Sequence, residues 1–423
     1  MIAHIDADSF FASVLVRRNP RLRGKPLLAL GMGGTCVIAA TYEAKALGVM
    51  TGMPLKEALR LAPKALQIPS DFRETAVASH EIEEILSREG PLLEQMSVDE
   101  WFLDLSGLPG GEPRDLSLWA TNLQRKILQK TSLSVSIGVG PTKLLAKMAG
   151  EYKKPAGITI LRNDCGEARL RRAGAAPLKE KGVHEGKTVG LSLMLNDRPA
   201  AAIPGIGRRR DVHAQAHGWR TAWDFAVADP ELVLRLFGKT GYELQLELLG
   251  TVVSPVTIED VPPKSISRAR SFLRTNDVSV LWAHTLRHLE YTVLKMRRQN
   301  LACREVSFWL RHWDDSSAGG HRKLPQPMNT EEQLRPYIRD LFDAFLKPKK
   351  LYSQTGIALL GLSADGSTQY SLFEKPDIYH REQSIQQTLD SLHERFGRNA
   401  ITRGSAISVS SQTKPALPLS LLE

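Results

Sequence analysis

Between residues 96 and 104 the run Met-Ser-Val-Asp-Glu-Trp-Phe-Leu-Asp sets two adjacent acids, Asp99 and Glu100, between two short stretches of alternating apolar residues. Alternation of that period belongs to strands, so Met96 and Val98 lead into a turn and Trp101 and Leu103 lead out of it. Neighbours in a regular strand point to opposite faces, and both acids serve one site only where the strand breaks. The feature therefore demands a sheet to carry the hairpin. Two carboxylates on a stiff hairpin suit a hard cation, since Mg²⁺ takes oxygen ligands and shares them with a phosphate-bearing substrate. An acidic dipeptide is also an ordinary solvated turn, so a functional reading needs a further acid nearby.

The N-terminal residues supply one. Residues 2–7 alternate like a strand, and Ser9 is placed to cap a helix over 10–16. Asp6 then falls at a strand end. Neighbouring strands carrying Asp6 and the hairpin tip would bring three carboxylates together, enough to hold two cations about 3.5–4 Å apart. Asp8 reads as a bystander whose side chain caps the following helix. Of the two phenylalanines on that short helix, Phe10 reads as core. Strands follow at 26–30 and 36–40, helices at 42–47, 55–61 and 72–88, a helix at 115–130, a strand at 133–139, a helix after Pro141 and a strand at 158–161. These make an α/β domain over 1–24 and 71–161 whose sheet is interrupted by a small helical insertion at 25–70.

From residue 162 Gly, Ala, Lys and Arg replace the apolar alternation, and 165–195 receives no element. Within 162–250, Ala202-Ile-Pro-Gly-Ile-Gly-Arg-Arg-Arg210 reads as a glycine turn opening a basic helix. As in a helix-hairpin-helix, Gly205 and Gly207 let backbone N–H groups approach a phosphate while Arg208, Arg209 and Arg210 add charge. Residues 251–263, with three prolines, read as an extended linker. The order βαββαβ over 264–363 is ferredoxin-like, a four-stranded sheet with helices on one face. Arg268, Arg270, Arg304 and Arg311 lie on its strands, where arginines on an uncovered face either follow a phosphate backbone or simply meet solvent. In the tail, 364–423, Gln369-Tyr-Ser-Leu-Phe373 is an apolar cluster suited to docking, followed by a helix at 381–396.

A chain of 423 residues exceeds what one core needs, so two to four domains are expected. Its formal charge of +10 favours a polyanionic partner, nucleic acid ahead of a membrane surface. Acids at positions 6 and 8 are at odds with a signal peptide and no segment is apolar enough to span a bilayer, which implies a cytoplasmic protein without membrane contact. Cys36, Cys165 and Cys303 are far apart and form no CxxC, so neither a disulfide framework nor a zinc site is indicated.

In order, His4-Ile-Asp-Ala-Asp-Ser-Phe-Phe11, Tyr42-Glu-Ala-Lys45, Ser97-Val-Asp-Glu100 and Lys154-Pro155 resemble the Y-family translesion DNA polymerases. The resemblance covers residues 1–363, and the tail agrees with it. It implies an α/β (α+β) right-hand polymerase with 1–24 and 71–161 as palm, 25–70 as fingers, 162–250 as thumb and 264–363 as little finger. It implies that Asp6, Asp99 and Glu100, with the carbonyl of Ala7, hold two Mg²⁺ ions. Phe11 would be a steric gate against a ribose 2′-hydroxyl with Phe10 beside it, and Tyr42, Lys45 and Lys154 would contact the incoming triphosphate. A monomer acting on primer-template DNA and dNTPs follows, with a part in DNA repair and the SOS response to DNA damage. Gln369, Leu372 and Phe373 resemble the anchors of the bacterial sliding-clamp motif, with Tyr370 where Leu is commoner.

The chain departs from the family pattern in three places. Ala39 stands where many members have Thr, Lys45 replaces an Arg able to grip a phosphate with two parallel bonds, and 165–195 is long. These motivate an alternative, a catalytically weak accessory protein that binds DNA and the clamp. The acids argue against it, because carboxylates repel DNA phosphates. A nucleotidyl cyclase with a similar palm accounts for the acids, but for neither the thumb nor the basic βαββαβ unit.

Overall fold

A computed structural model describes residues 1–31, 34–162, 188–258, 262–314, 316–365, 376–396 and 401; of residues 162, 376–383, 393 and 394 only the backbone is described. They form two compact units, Met1–Glu259 and Asp260–Glu423.

The first unit is built on β1 (Ile2–Ala7), which leads into α1 (Phe10–Arg18). An excursion follows, with β2 (Leu27–Leu30), β3 (Val37–Ala40), α2 (Tyr42–Lys45), α3 (Leu55–Leu61) and β4 (Leu66–Pro69). Strands at 26–30 and 36–40 were expected within what was read as a small helical insertion; β4 adds a third and closes a sheet of order β3-β2-β4. Leu66–Pro69 escaped a periodicity reading because it is a short edge strand with three of its four residues exposed. The chain then forms α4 (Phe72–Ser87), β5 (Leu93–Gln95), β6 (Glu100–Asp104), α5 (Leu116–Thr131), β7 (Val135–Gly140), α6 (Lys143–Tyr152), β8 (Ile158–Arg162) and β9 (Thr188–Gly190). The main sheet has the order β5-β6-β1-β7-β8-β9. β9 lies in the stretch that sequence left unassigned; three residues are too few to show a period.

The hairpin before β6 sits lower than the alternation implied. β5 ends at Gln95, so Met96 and Val98 belong to the turn and are exposed, and Asp99 closes the turn just before Glu100 begins β6. α4 and α5 cover the sheet face that carries Ala3, Ile5 and Ala7, while α6 covers the other. That second approach is close. A Cβ on Gly138 would lie 2.1 Å from both the Ala146 carbonyl oxygen and the Gly150 nitrogen, so only glycine lets α6 rest on β7.

After β9 come α7 (Leu191–Asp197), α8 (Arg208–Ala216), α9 (Ala222–Ala226) and α10 (Pro230–Leu248), whose apolar faces share a core with α6. Residues 251–258 form no helix or strand, as a linker should, but they are tied down. Thr257 N–H donates to Glu94 at 2.9 Å, Ser254 N–H donates to Glu247 at 2.8 Å, and Val256 packs beside Phe102.

The second unit runs β10 (Ser265–Thr275), α11 (Val278–Arg297), β11 (Leu301–His312), β12 (Ser317–Met328), α12 (Glu331–Phe345) and β13 (Tyr352–Leu360), the βαββαβ order expected. Its antiparallel sheet has the order β10-β13-β11-β12, with the short β14 (Ser363–Ala364) beside β11. A last helix, α13 (Pro376–Phe396), is held by Arg297 Nε donating to Asp390 Oδ2 at 2.6 Å.

Candidate active site

The phase of β1 decides which side chains reach the site. Ala3, Ile5 and Ala7 enter the core under α4 and α5, so His4 and Asp6 share the face covered by α6. Register sets Asp6 opposite Glu100 and His4 opposite Phe102, and residues opposite one another share a face. α6 then contributes cations. Lys147 donates to Glu100 Oε1, and His4 Nε2 lies 2.7 Å from the same oxygen. Lys154, just past the helix, donates to Asp6 Oδ1 at 2.5 Å. One ligand atom each from His4, Asp6 and Glu100 fall within 4.8 Å of one another.

Three converging carboxylates were expected, whereas the structure brings together two carboxylates and a histidine. The Asp99 carboxylate accepts from Ser97 Oγ at 2.5 Å and stands outside that group. The reason is local: Ser97 and Asp99, two residues apart in a tight turn, satisfy each other. Asp99 still borders the site, since Ala7 N–H donates to its carbonyl at 2.9 Å and its charge acts on Asp6.

The two central acids are tuned in opposite directions. Burial raises the pKa of Asp6, and Lys154 offsets only part of that. Burial also works against ionised Glu100, but hydrogen bonds from His4 and Lys147 outweigh it and bring the carboxyl down to about 2. Glu100 is thus held as a carboxylate with its partners converging on one oxygen.

Asp8 neither stands by nor caps the helix. Ser9 occupies the cap position with φ of 48° and makes no side-chain capping bond. Asp8 is buried and accepts from Ser136 Oγ at 2.8 Å, from Ala156 N–H at 2.9 Å and from the Tyr42 hydroxyl at 3.4 Å. It brackets β7, the loop bearing Lys154, and α2. Burial and then the Asp8 charge push the Tyr42 hydroxyl's pKa upward, which keeps it protonated. Lys45 lies over the Tyr42 ring at 4.5 Å; burial and then repulsion from Lys154 lower its pKa. The two ammonium groups therefore repel one another, while Lys154 is held by its pair with Asp6. Ala39 is buried among Ala12, Leu15 and Ala29 and brings no polar group. Phe10 is buried as expected, while the half-buried Phe11 lies edge-on to both Phe10 and Phe72.

His4, Lys147 and the bracketing part of Asp8 were missed by sequence reading. The spacing of Lys143 and Lys147, one turn apart on α6, is a sequence signal by which Lys147 could have been found.

The basic residues divide. Arg208 and Arg209 are exposed at the start of α8, whereas Arg210 turns back to donate to the Gly205 carbonyl at 2.9 Å and braces the turn. Gly205 has φ of 102°, which suits glycine, and Gly207 precedes the first helical residue. Arg304 and Arg311 are exposed. Arg268 and Arg270 do not lie on an uncovered face: they pair with the buried Ile357 and Thr355, on the side where α11 packs, and the Arg268 guanidinium sits 4.0 Å from the Tyr291 ring centre. A strand's arginines look alike in sequence, and only the phase against the helices separates them. Gln369, Leu372 and Phe373 lie outside the described residues. Among the described residues no helix is long and apolar enough to cross a membrane.

Comparison with known proteins matches the model of the impB/mucB/samB family over residues 5–151 and that family's C-terminal domain over 263–372. DNA polymerase IV of Methanoculleus marisnigri is 32% identical over 383 residues, covering 88% of this chain and 98% of that protein. DNA polymerase IV 1 of Halalkalibacterium halodurans is 29% identical over 421 residues, covering 97% and 94%. Among solved structures, a Y-family polymerase chimera of Dbh and Dpo4 superposes with a TM-score of 0.69 at 23% identity, covering 86% of this chain and 99% of that one. An insertion ternary complex of Dbh DNA polymerase covers the same shares with a TM-score of 0.55 at 23% identity.

Proposed function

The chain belongs to the Y family of translesion DNA polymerases, and from that premise we propose how its own residues extend a primer. The protein is a DNA-directed DNA polymerase of the translesion type. The observation that carries the site assignment is the cross-strand pair Asp6 and Glu100, each carboxylate matched by a lysine ammonium.

The donors fit two Mg²⁺ ions. Asp6, Asp99, Glu100 and the Ala7 carbonyl are hard oxygen ligands, and Glu100 is ionised across the working range of pH. Mg²⁺ held by these residues would supply the acidity needed to activate the primer 3′-hydroxyl and positive charge to offset that of the triphosphate and the leaving pyrophosphate. His4 and Lys147 orient Glu100, and Asp8 fixes the loop that carries Lys154. Lys45 and Lys154 receive the triphosphate of the incoming dNTP, which relieves their mutual repulsion. Tyr42 remains a hydrogen-bond donor beside them, and the Phe11 ring, backed by Phe10, excludes a 2′-hydroxyl.

In this reading residues 1–24 and 71–161 are the palm, 25–70 the fingers, 162–250 the thumb, 251–263 the linker, 264–363 the little finger and 364–423 the tail. Gly205, Gly207, Arg208, Arg209, Arg304 and Arg311 follow the DNA backbone, while Arg210, Arg268 and Arg270 support the elements that present them. The monomer acts in the cytoplasm during the SOS response and docks to the bacterial sliding clamp through Gln369, Leu372 and Phe373.

Primer extension with Mg²⁺ and dNTPs on undamaged and abasic templates tests the proposal, beside an Asp99→Ala, Glu100→Ala double variant. The expected result is extension by the wild type that vanishes in the variant, while primer-template binding persists. Extension that survives in the variant overturns the site assignment.

A further inference from the structure

Phe72 is the first residue of α4 and is 45% exposed, an unusual position for a large apolar ring. Helix propensity does not require it there, since the first turn accepts almost any residue. Its aromatic neighbour is Phe11, with ring centroids 5.8 Å apart and planes at 67°. That is the edge-to-face geometry that aromatic quadrupoles favour. Phe10 meets Phe11 in the same manner at 5.9 Å and 66°. The Phe11 ring is therefore held between a buried ring from its own helix and an exposed ring from another.

The spacing between the two helices is fixed independently of these rings. Arg18 of α1 donates to Asp71 Oδ2 at 2.9 Å, and Asp71 caps α4 by accepting from Arg73 and Glu74 N–H. Farther along, Arg17 grips both oxygens of Glu81. Two ion pairs thus lock α1 to α4 and bring the first turn of α4 against the start of α1. Phe72 touches no site residue but Phe11 among the ring contacts found in the described residues.

We infer that Phe72 is a positioning residue for sugar discrimination, holding the Phe11 ring in the orientation that rejects a 2′-hydroxyl. The inference rests on Phe11 being the steric gate. A ring without its brace samples other rotamers, and a wall that moves excludes less. The loss expected is the worth of one edge-to-face pair, about three- to tenfold in the preference for dNTP over rNTP. Phe72 acts through Phe11, so its effect must vanish once Phe11 is gone.

Single-nucleotide incorporation of matched dNTP and rNTP by the full chain, measured as kcat/KM for each, tests this in Phe72→Ala, Phe72→Tyr, Phe11→Ala and the Phe11→Ala, Phe72→Ala double variant. The expected result is reduced discrimination in Phe72→Ala, restored in Phe72→Tyr, and a double variant no less selective than Phe11→Ala. Unchanged discrimination in Phe72→Ala, alongside a large loss in Phe11→Ala, overturns the brace and leaves the gate standing. Unchanged discrimination in Phe11→Ala removes the gate and the inference with it. Additive losses in the double variant show that Phe72 meets the nucleotide directly, which overturns action through Phe11. Loss of dNTP and rNTP incorporation in equal proportion in Phe72→Ala marks a merely structural residue and also overturns the inference.

Discussion

The two units bury ionisable groups by opposite means. In the first, Asp6 and Glu100 stay close to charged partners, Lys154 on one and His4 with Lys147 on the other. In the second, His284 and His288 sit one turn apart on α11, and burial and then nearby arginines drive their pKa values down to about 4 and about 3. His284 stacks on Phe272 at 4.3 Å, and Arg268, Arg270 and Arg287 supply the repulsion. Histidines at that spacing resemble metal ligands in sequence, but burial together with Arg268, Arg270 and Arg287 keeps both rings neutral and disfavours an added cation. Charges retained by pairing belong to chemistry; groups neutralised by burial belong to a core.

Glu100→Gln breaks the comparison most severely. It keeps the shape and removes the charge, so primer extension should fall by on the order of a hundredfold or more, with little change in DNA affinity by fluorescence anisotropy. Retained extension would mean that the paired charge in the first unit serves the fold and not the chemistry.

Asp8→Ala sharpens the contrast within the first unit. It leaves Ser136 and the Ala156 N–H without their acceptor, and the folded state should lose about 2 kcal/mol in chemical denaturation. The loop carrying Lys154 loosens, so KM for dNTP rises more than kcat falls. A variant with wild-type stability would refute the bracket.

The second unit should respond to acid. His284 and His288 have folded pKa values below the unfolded value near 6.5, so the folded state binds fewer protons there. Their stabilising contribution is complete above pH 6.5 and is lost as pH falls toward 3. His288→Leu should flatten that slope in unfolding midpoints taken between pH 7 and about 4. An unchanged slope would show that His288 is not buried neutral.

The smallest effect separates the arginines. Arg311→Ala should lower the salt dependence of DNA binding by about one unit of slope, because a phosphate contact is lost. Arg268→Ala should leave the slope alone and lower the melting temperature, since its guanidinium packs on Tyr291. Equal slopes would reverse the assignment of faces.

Much of this was legible from local pattern. β1 and α3 fall on the residues that alternation and amphipathicity indicate, and the βαββαβ order of the second unit follows from strands and helices of ordinary length. The misses are short or nonlocal. β4 and β9 are too brief to show a period, and the hairpin turn shifted because Met96 and Val98 look like strand residues although they are exposed. In the site, Asp6 and Glu100 were readable as acids at strand ends. His4 was not, because a histidine inside an apolar strand reads as core until its register beside Glu100 is known.

By itself the sequence determined which residue types were available and their local periods: the acids at 6, 99 and 100, the lysines, the paired phenylalanines and the order of elements. Those properties depend on neighbours a few positions apart. Tertiary structure alone decided which acid faces which lysine, that Asp99 turns to Ser97, that Asp8 joins three elements, and that Arg268 and Arg311 lie on opposite faces of one sheet. Each of these depends on register and on packing between segments far apart in the chain, where a shift of one residue reverses the face of every side chain.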